Sequence, residues 1–261
     1  MTPAPPWLHL TEHRPPGRER PLVVLVHGSM DRSTGLARVR TRLADLHVVV
    51  YDRRGYHRSR SAPPASSLDD HLADLLAVLD GRRAIVAGHS YGGTLALTAA
   101  VRHPDLVQAV LAYEPPLPWL SWWPSSSAGG DAVGIATTAA DPAAGAEAFM
   151  RRAIGSARWE RLPEQARADR RAEGPALVGE LRALRTDPPP FQAGDVGVPA
   201  VLGCGSRSLP HQRAAAAELA RTIPGSELVE VPGAAHGAPA THPDAYAALV
   251  RRAVARAAPL S

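Results

Sequence analysis

Short, mostly apolar segments rich in β-branched residues mark off the first 113 residues, at positions 22–26, 47–51, 84–88 and 107–113. A run of this length without alternation is that of a strand buried on both faces. Between the runs the apolar spacing is helical. Leu36, Ala37, Val39, Leu43 and Ala44 follow the first. Leu68, Leu72, Leu75, Leu76 and Leu79 share one face ahead of the third, with Asp69 and Asp70 at that helix's positive end. A small-residue helix over 91–101 follows the third. Strand and helix in alternation specify an α/β fold, a mostly parallel sheet covered by helices on both faces. Residues 7–13 read as one added edge strand.

After Pro116 the alternation stops. Residues 117–195 hold a tryptophan group (Trp119, Trp122, Trp123), a Ser-Gly stretch over 125–130, and helix-like pieces over 143–154, 156–169 and 174–185. A structureless connection of that length is foreign to a compact domain, so the segment reads as an inserted helical lid. Strand 199–203, helix 211–223, strand 227–231, a Pro-Gly loop and a helix over 243–257 then complete the pattern. Residues 1–116 and 196–261 form one core in this reading, with 117–195 inserted. A chain of 261 residues is long enough for one large core.

Composition excludes several function classes. The formal charge of +4 comes from arginines spread over helix faces, which argues against a nucleic-acid partner. Cys204 is the single cysteine, and the histidines lack zinc-ligand spacing, so neither an internal disulfide nor a metal site is expected. No run approaches the ~20 apolar residues of a membrane span, and residues 1–17 lack a basic segment followed by an apolar core. The reading is a cytoplasmic protein with no membrane partner and no cofactor. Oligomeric state is not legible.

Gly88-His89-Ser90-Tyr91-Gly92 sits between a buried strand and a helix, where Gly-x-Ser-x-Gly acquires mechanical meaning. The chain must reverse within about two residues, leaving Ser90 strained and exposed at the strand's carboxyl end. Ser90 is therefore the expected nucleophile, and the alternative of a plain helix cap does not explain the two glycines. The Tyr91 N–H, paired with that of Ser29 or alternatively Met30, supplies an oxyanion hole. His27 reads as an internal hydrogen-bonding residue of that loop. His236, in the loop after the last strand, is the expected base, since serine activation needs a group titrating near neutrality. His71, His103, His211 and His242 read as surface or packing residues, and His57 and His89 as pocket lining or support.

These segments resemble the α/β-hydrolase fold family, in particular its small, cofactor-free members with a helical cap. The resemblance runs from about Pro21 to Ala257 through HGSM at 27–30, DRRGYHRS at 52–59, GHSYGG at 88–93 and PGAAHG at 232–237. It implies a Ser, acid, His triad with an aspartate after the strand that follows the cap. That loop, 203–210, has no carboxylate. Glu114, at the end of the strand before the cap, is the expected acid, as in haloalkane dehalogenases of the family, and Asp195 is the second choice. Asp52 and Arg53 would hold the loop beside the oxyanion hole. A serine nucleophile argues against dehalogenation and epoxide hydrolysis. The expected substrate is a small hydrophobic carboxylic ester, thioester or lactone, cleaved through an acyl-enzyme, with Trp119, Trp122 and Trp123 as an apolar wall or as a seam attaching the cap. A biosynthetic carbon–carbon lyase or cyclase-like enzyme and a non-catalytic small-molecule binding protein are the alternatives.

Overall fold

The computed structural model describes residues 4–17, 20–185 and 188–257. Seven strands form one sheet: β1 Leu10–His13, β2 Leu22–Val26, β3 His47–Tyr51, β4 Ala84–His89, β5 Val107–Tyr113, β6 Ala200–Gly205 and β7 Glu227–Val231. Their order is β1-β3-β2-β4-β5-β6-β7. Every pairing is parallel except that of β1, which runs antiparallel along β3 with Leu10 opposite Tyr51.

The strand residues alternate between two apolar layers. Leu22, Val24 and Val26 pack with helices α2 Leu68–Leu79 and α3 Tyr91–Arg102, whereas Val23 and Leu25 face α1 Ala37–Arg42 and α11 Pro243–Arg256. From β2 to β6 neither layer leaves a strand face for water, which is why these runs show no polar alternation. Helix α9 Pro210–Thr222 adds Ala215 and Leu219 to the first layer, and the one-turn helix α10 Ala238–Thr241 adds Ala238 to the second.

Between β5 and β6 the chain leaves the sheet and forms α4 Ala128–Thr138, α5 Pro142–Ile154, α6 Ser156–Glu160, α7 Glu164–Ala172 and α8 Gly174–Ala183. A third apolar cluster joins Ala132, Ala146, Met150, Trp159, Ala176 and Leu177 of these helices to Met30 and Tyr56 in loops after β2 and β3. The inserted helices thus rest on the carboxyl ends of the strands, where ligands of open α/β sheets bind.

Two details differ from the sequence reading. The helix expected over 156–169 is two, α6 and α7, parted at Pro163, whose missing N–H and fixed φ break the ladder. The Ser-Gly stretch 125–130 opens α4, an additional helix: Ser127 Oγ accepts from the Gly130 N–H at 3.1 Å, and Gly129 approaches Leu181. Cap and packing override two poor helix formers there. Among the described residues no helix is long and apolar enough to cross a membrane.

Candidate active site

Ser90 stands between β4 and α3 with φ 53° and ψ −124°, a conformation rarely tolerated outside glycine. Its backbone N–H donates to Tyr113 O of β5 at 2.8 Å, and its carbonyl accepts from Gly93 at 2.7 Å. The turn closes because its flanks lack side chains. A Cβ on Gly88 would lie 2.0 Å from Gly92 O, and one on Gly92 would lie 2.3 Å from Val26 O. The loop after β2 passes equally near, since a Cβ on Gly28 would come within 2.9 Å of Ser90 Cβ.

Backbone N–H groups flank this turn on both sides. Tyr91 opens α3, so its N–H falls in the turn that lacks intrahelical acceptors. On the other side, the Gly28 carbonyl accepts from His27 Nδ1 at 2.8 Å and from the Asp31 N–H at 3.3 Å. A planar trans peptide sends the Ser29 N–H the opposite way. Among the described residues the N–H groups of Ser29 and Met30 donate to no other protein group. His27 is neutral and of fixed tautomer: Nδ1 carries the proton, while Nε2 accepts from the Arg53 N–H at 2.9 Å. Burial and the Arg53 charge push its pKa well below the usual histidine value.

Glu114 ends β5 and is buried, with φ 47°, again the left-handed region. Its Oε2 accepts from His236 Nδ1 at 2.7 Å, and its Oε1 accepts from the Gly205 N–H at 2.8 Å and from the Ser208 hydroxyl. The 203–210 loop, empty of carboxylates, thus wraps the acid of the neighbouring strand with donors. Burial works to raise the Glu114 pKa, but His236, Ser208 and Gly205 outweigh it and hold the group below the ordinary 4.5. A depressed carboxylate contributes stability that is fully present above its unfolded value and lost as pH falls through the folded one. Denaturant midpoints are therefore expected to be level near neutrality and to fall as pH drops below about 4.5; a midpoint unchanged down to about pH 3 would contradict this pairing.

His236 leaves 39% of its side chain exposed, against none of the Glu114 side chain. With Nδ1 donating to Glu114, its Nε2 is the basic nitrogen. His89, the residue before Ser90, braces it. The His89 Nε2–H donates to His236 O at 2.7 Å, and the two rings stand 4.7 Å apart at 45°. Burial first, and then the His236 charge, push the His89 pKa down to about 3, so His89 is a neutral support. The Ser90 hydroxyl carries no hydrogen bond among the described residues; the bond from such a serine to its base commonly tightens only with substrate bound.

The other expected residues fall at varied distances from this centre. Asp195 is exposed in a short turn before β6, with no bond to His236. Asp52 Oδ1 accepts from the Ser33 N–H at 2.7 Å and steadies the loop beyond Met30. Trp119 packs edge-on against Phe191 and Trp123 against His211, both leaning on the core, whereas Trp122 is 44% exposed. Burial and the charges of His236 and Arg152 lower the His211 pKa.

Sequence reasoning missed one group altogether. Glu180 and Leu177 of α8 share a stripe with the flanking residues Glu173 and Leu184, and all four are buried. Two acids at buried-stripe spacing were the available signal. His71 of α2 is likewise buried, against Glu180 and Tyr91.

Comparison with known proteins agrees with this fold. The model of the "Alpha/beta hydrolase family" matches residues 23–249. A 2-(acetamidomethylene)succinate hydrolase of Mesorhizobium japonicum is 27% identical over 234 residues, 83% of this chain and 81% of that protein. The uncharacterized hydrolase YraK of Bacillus subtilis is 35% identical over 101 residues, and the match spans 36% of this chain and 37% of YraK. Among solved structures, the enol-lactonase of Burkholderia xenovorans superposes with a TM-score of 0.74 at 23% identity, covering 95% of this chain and 96% of its own. With its sheet order, its strained Ser90 turn and the family match over residues 23–249, the chain belongs to the alpha/beta hydrolase family.

Proposed function

We propose that the protein cleaves a small, largely hydrophobic carboxylic ester, thioester or lactone through a serine acyl-enzyme. The observation that carries the reading is the strained Ser90 at the N-terminus of α3, with the Glu114–His236 pair on the adjoining strand ends. Ser90 Oγ attacks the carbonyl carbon while its proton passes to His236 Nε2. The carbonyl oxygen, now negative, is met by the N–H groups of Tyr91 and Ser29. Collapse breaks the bond to the leaving group, which takes the proton from His236. A water then gives its proton to His236 and attacks the acyl carbon; collapse breaks the bond to Ser90 Oγ, which takes that proton back from His236 as the acid leaves. Glu114 keeps the imidazole in the required tautomer and balances its charge.

Helices α4–α8 act as the lid in this reading, with Trp123 and Trp122 offering apolar contact at the rim. The substrate in the name of the Mesorhizobium relative carries an acetamido group on a dicarboxylate. The apolar rim here favours an ester or lactone over such a charged substrate. Treatment with a fluorophosphonate is expected to give one stoichiometric adduct on the peptide containing Ser90, and Ser90→Ala none. An adduct elsewhere, or unmodified folded protein, overturns the reading. Turnover surviving in Ser90→Ala would favour elimination or carbon–carbon chemistry in its place.

A further inference from the structure

Helix α8 drives one carboxylate into the core beside the proposed oxyanion hole. Glu180 is fully buried and gathers groups from three separate parts of the chain. Its Oε1 accepts from Ser29 Oγ at 2.5 Å and from the Tyr56 hydroxyl at 2.7 Å. Its Oε2 accepts from Arg53 Nη1 at 2.6 Å and lies 3.4 Å from Nε2 of His71. Arg53, also fully buried, reaches both sides of the Ser90 turn. Its Nε donates to His27 O at 3.0 Å, and its guanidinium lies 4.5 Å from the centre of the Tyr91 ring and 5.0 Å from that of Tyr56. Just ahead of α8, Glu173 accepts from Arg32 and from the His57 N–H, each at 2.9 Å, while Arg170 donates to Met30 O.

Stability alone does not account for such a cluster. A buried ion pair adds little over apolar side chains of the same volume, because desolvation offsets the attraction. What it supplies is direction, since each oxygen of Glu180 has a defined set of donors. Two of those donors belong to residues that shape the oxyanion loop.

We propose that Glu180 is a positioning residue for acyl transfer: it clamps Ser29 directly, and through Arg53 and His27 it fixes the Gly28–Ser29 peptide and the Tyr91 ring, so the oxyanion hole is complete only with α8 docked. This rests on the acyl-enzyme reading above. Burial acts to raise the Glu180 pKa, but the Arg53 charge and His71 more than reverse it, and the group stays ionised. The inserted helices are then part of the catalytic framework on this side.

The test compares wild type with Glu180→Gln, Ser29→Ala and the double variant Arg53→Met/Glu180→Leu. Measured are kcat and KM on a short-chain p-nitrophenyl ester, the rate of fluorophosphonate labelling at Ser90, and the thermal midpoint. Glu180→Gln is expected to lower kcat and labelling rate about 10- to 100-fold, with KM within about twofold. Ser29→Ala, which keeps the ion pair, is expected to lower kcat by about threefold to tenfold with little change in midpoint. The double variant is expected to recover the midpoint lost in Glu180→Gln while its kcat stays low. Where Glu180→Gln does not fold, the other two variants decide. A double variant with a restored midpoint and wild-type kcat makes the pair purely structural and overturns the proposal, as does a folded Glu180→Gln with unchanged kcat. Wild-type protein that turns over the ester yet shows no variant effect overturns this inference alone. Wild-type protein that neither labels nor turns over removes the acyl-enzyme reading, and this inference with it.

Discussion

Glu114→Gln is expected to lower kcat on an activated short-chain ester by about 10⁴, with KM little changed and the protein folded. The loss comes from the different surroundings of the two oxygens of Glu114. Oε1 faces two donors, the Gly205 N–H and the Ser208 hydroxyl, and so demands an acceptor. A glutamine therefore places its carbonyl there and its amide nitrogen opposite His236 Nδ1. An N–H at that point cannot accept the imidazole proton. The ring must carry its proton on Nε2, the nitrogen that has to receive the one from Ser90. Asp195→Asn, in contrast, alters an exposed turn and is expected to leave turnover unchanged. Steady-state kinetics of the two variants decide the matter. Full turnover in Glu114→Gln would remove that residue from the reaction.

Trp159→Ala is expected to be the most destabilising single truncation in the inserted helices, at about 3–5 kcal/mol. Trp159 is fully buried, and its cluster includes Met30 and Tyr56 from the sheet loops as well as Met150 and Leu177 from α5 and α8. Short α6, only five residues long, gives its neighbours little freedom to close around the cavity. At about 2–4 °C per kcal/mol for a domain of this size, the thermal midpoint should drop by about 10 °C. Urea unfolding should show a lower midpoint at unchanged slope. A loss under about 1 kcal/mol would mean that the cluster collapses around the missing ring.

The sheet was largely legible because burial on both faces leaves its imprint in residue type. Val23, Val24 and Val26, or Val48, Val49 and Val50, have no other economical setting, and β2, β3 and β5 stand where those runs are. The Ser90 turn was legible for a related reason, since Gly88 and Gly92 are dictated by backbone atoms within 2.3 Å of any Cβ they might bear. Glu114 was visible through the lack of a carboxylate in 203–210, though the donors that replace one, Ser208 and Gly205, were not. Helix α4 escaped because Gly129 and Gly130 are poor helix formers, and its stability comes from α5 and α8, which a local reading does not see. Glu180 escaped for the converse reason. Its own helix was recognised, but an acid on a helix reads as solvated until the loops that receive it are known. His71 was hidden in the same way, since its partner Glu180 lies 109 positions further along the chain.

The inserted helices begin and end at neighbouring strands, with Tyr113 beside Gly203 in the register of β5 and β6. Taken alone, that arrangement makes the segment interchangeable: another set of helices could be spliced between the same two strand ends without disturbing the sheet. The buried acids of α8 remove that freedom. A chimera built by exchanging residues 117–195 would leave Arg53 without its counter-ion and Ser29 without its acceptor, unless the donor segment brought a carboxylate to the position of Glu180. Transplanting this lid, or evolving a new one on this core, is thus a matter of moving matched sets. Residues 29, 53, 56, 173 and 180 travel together, while the outward surface of α4, α5 and α7 is free to vary.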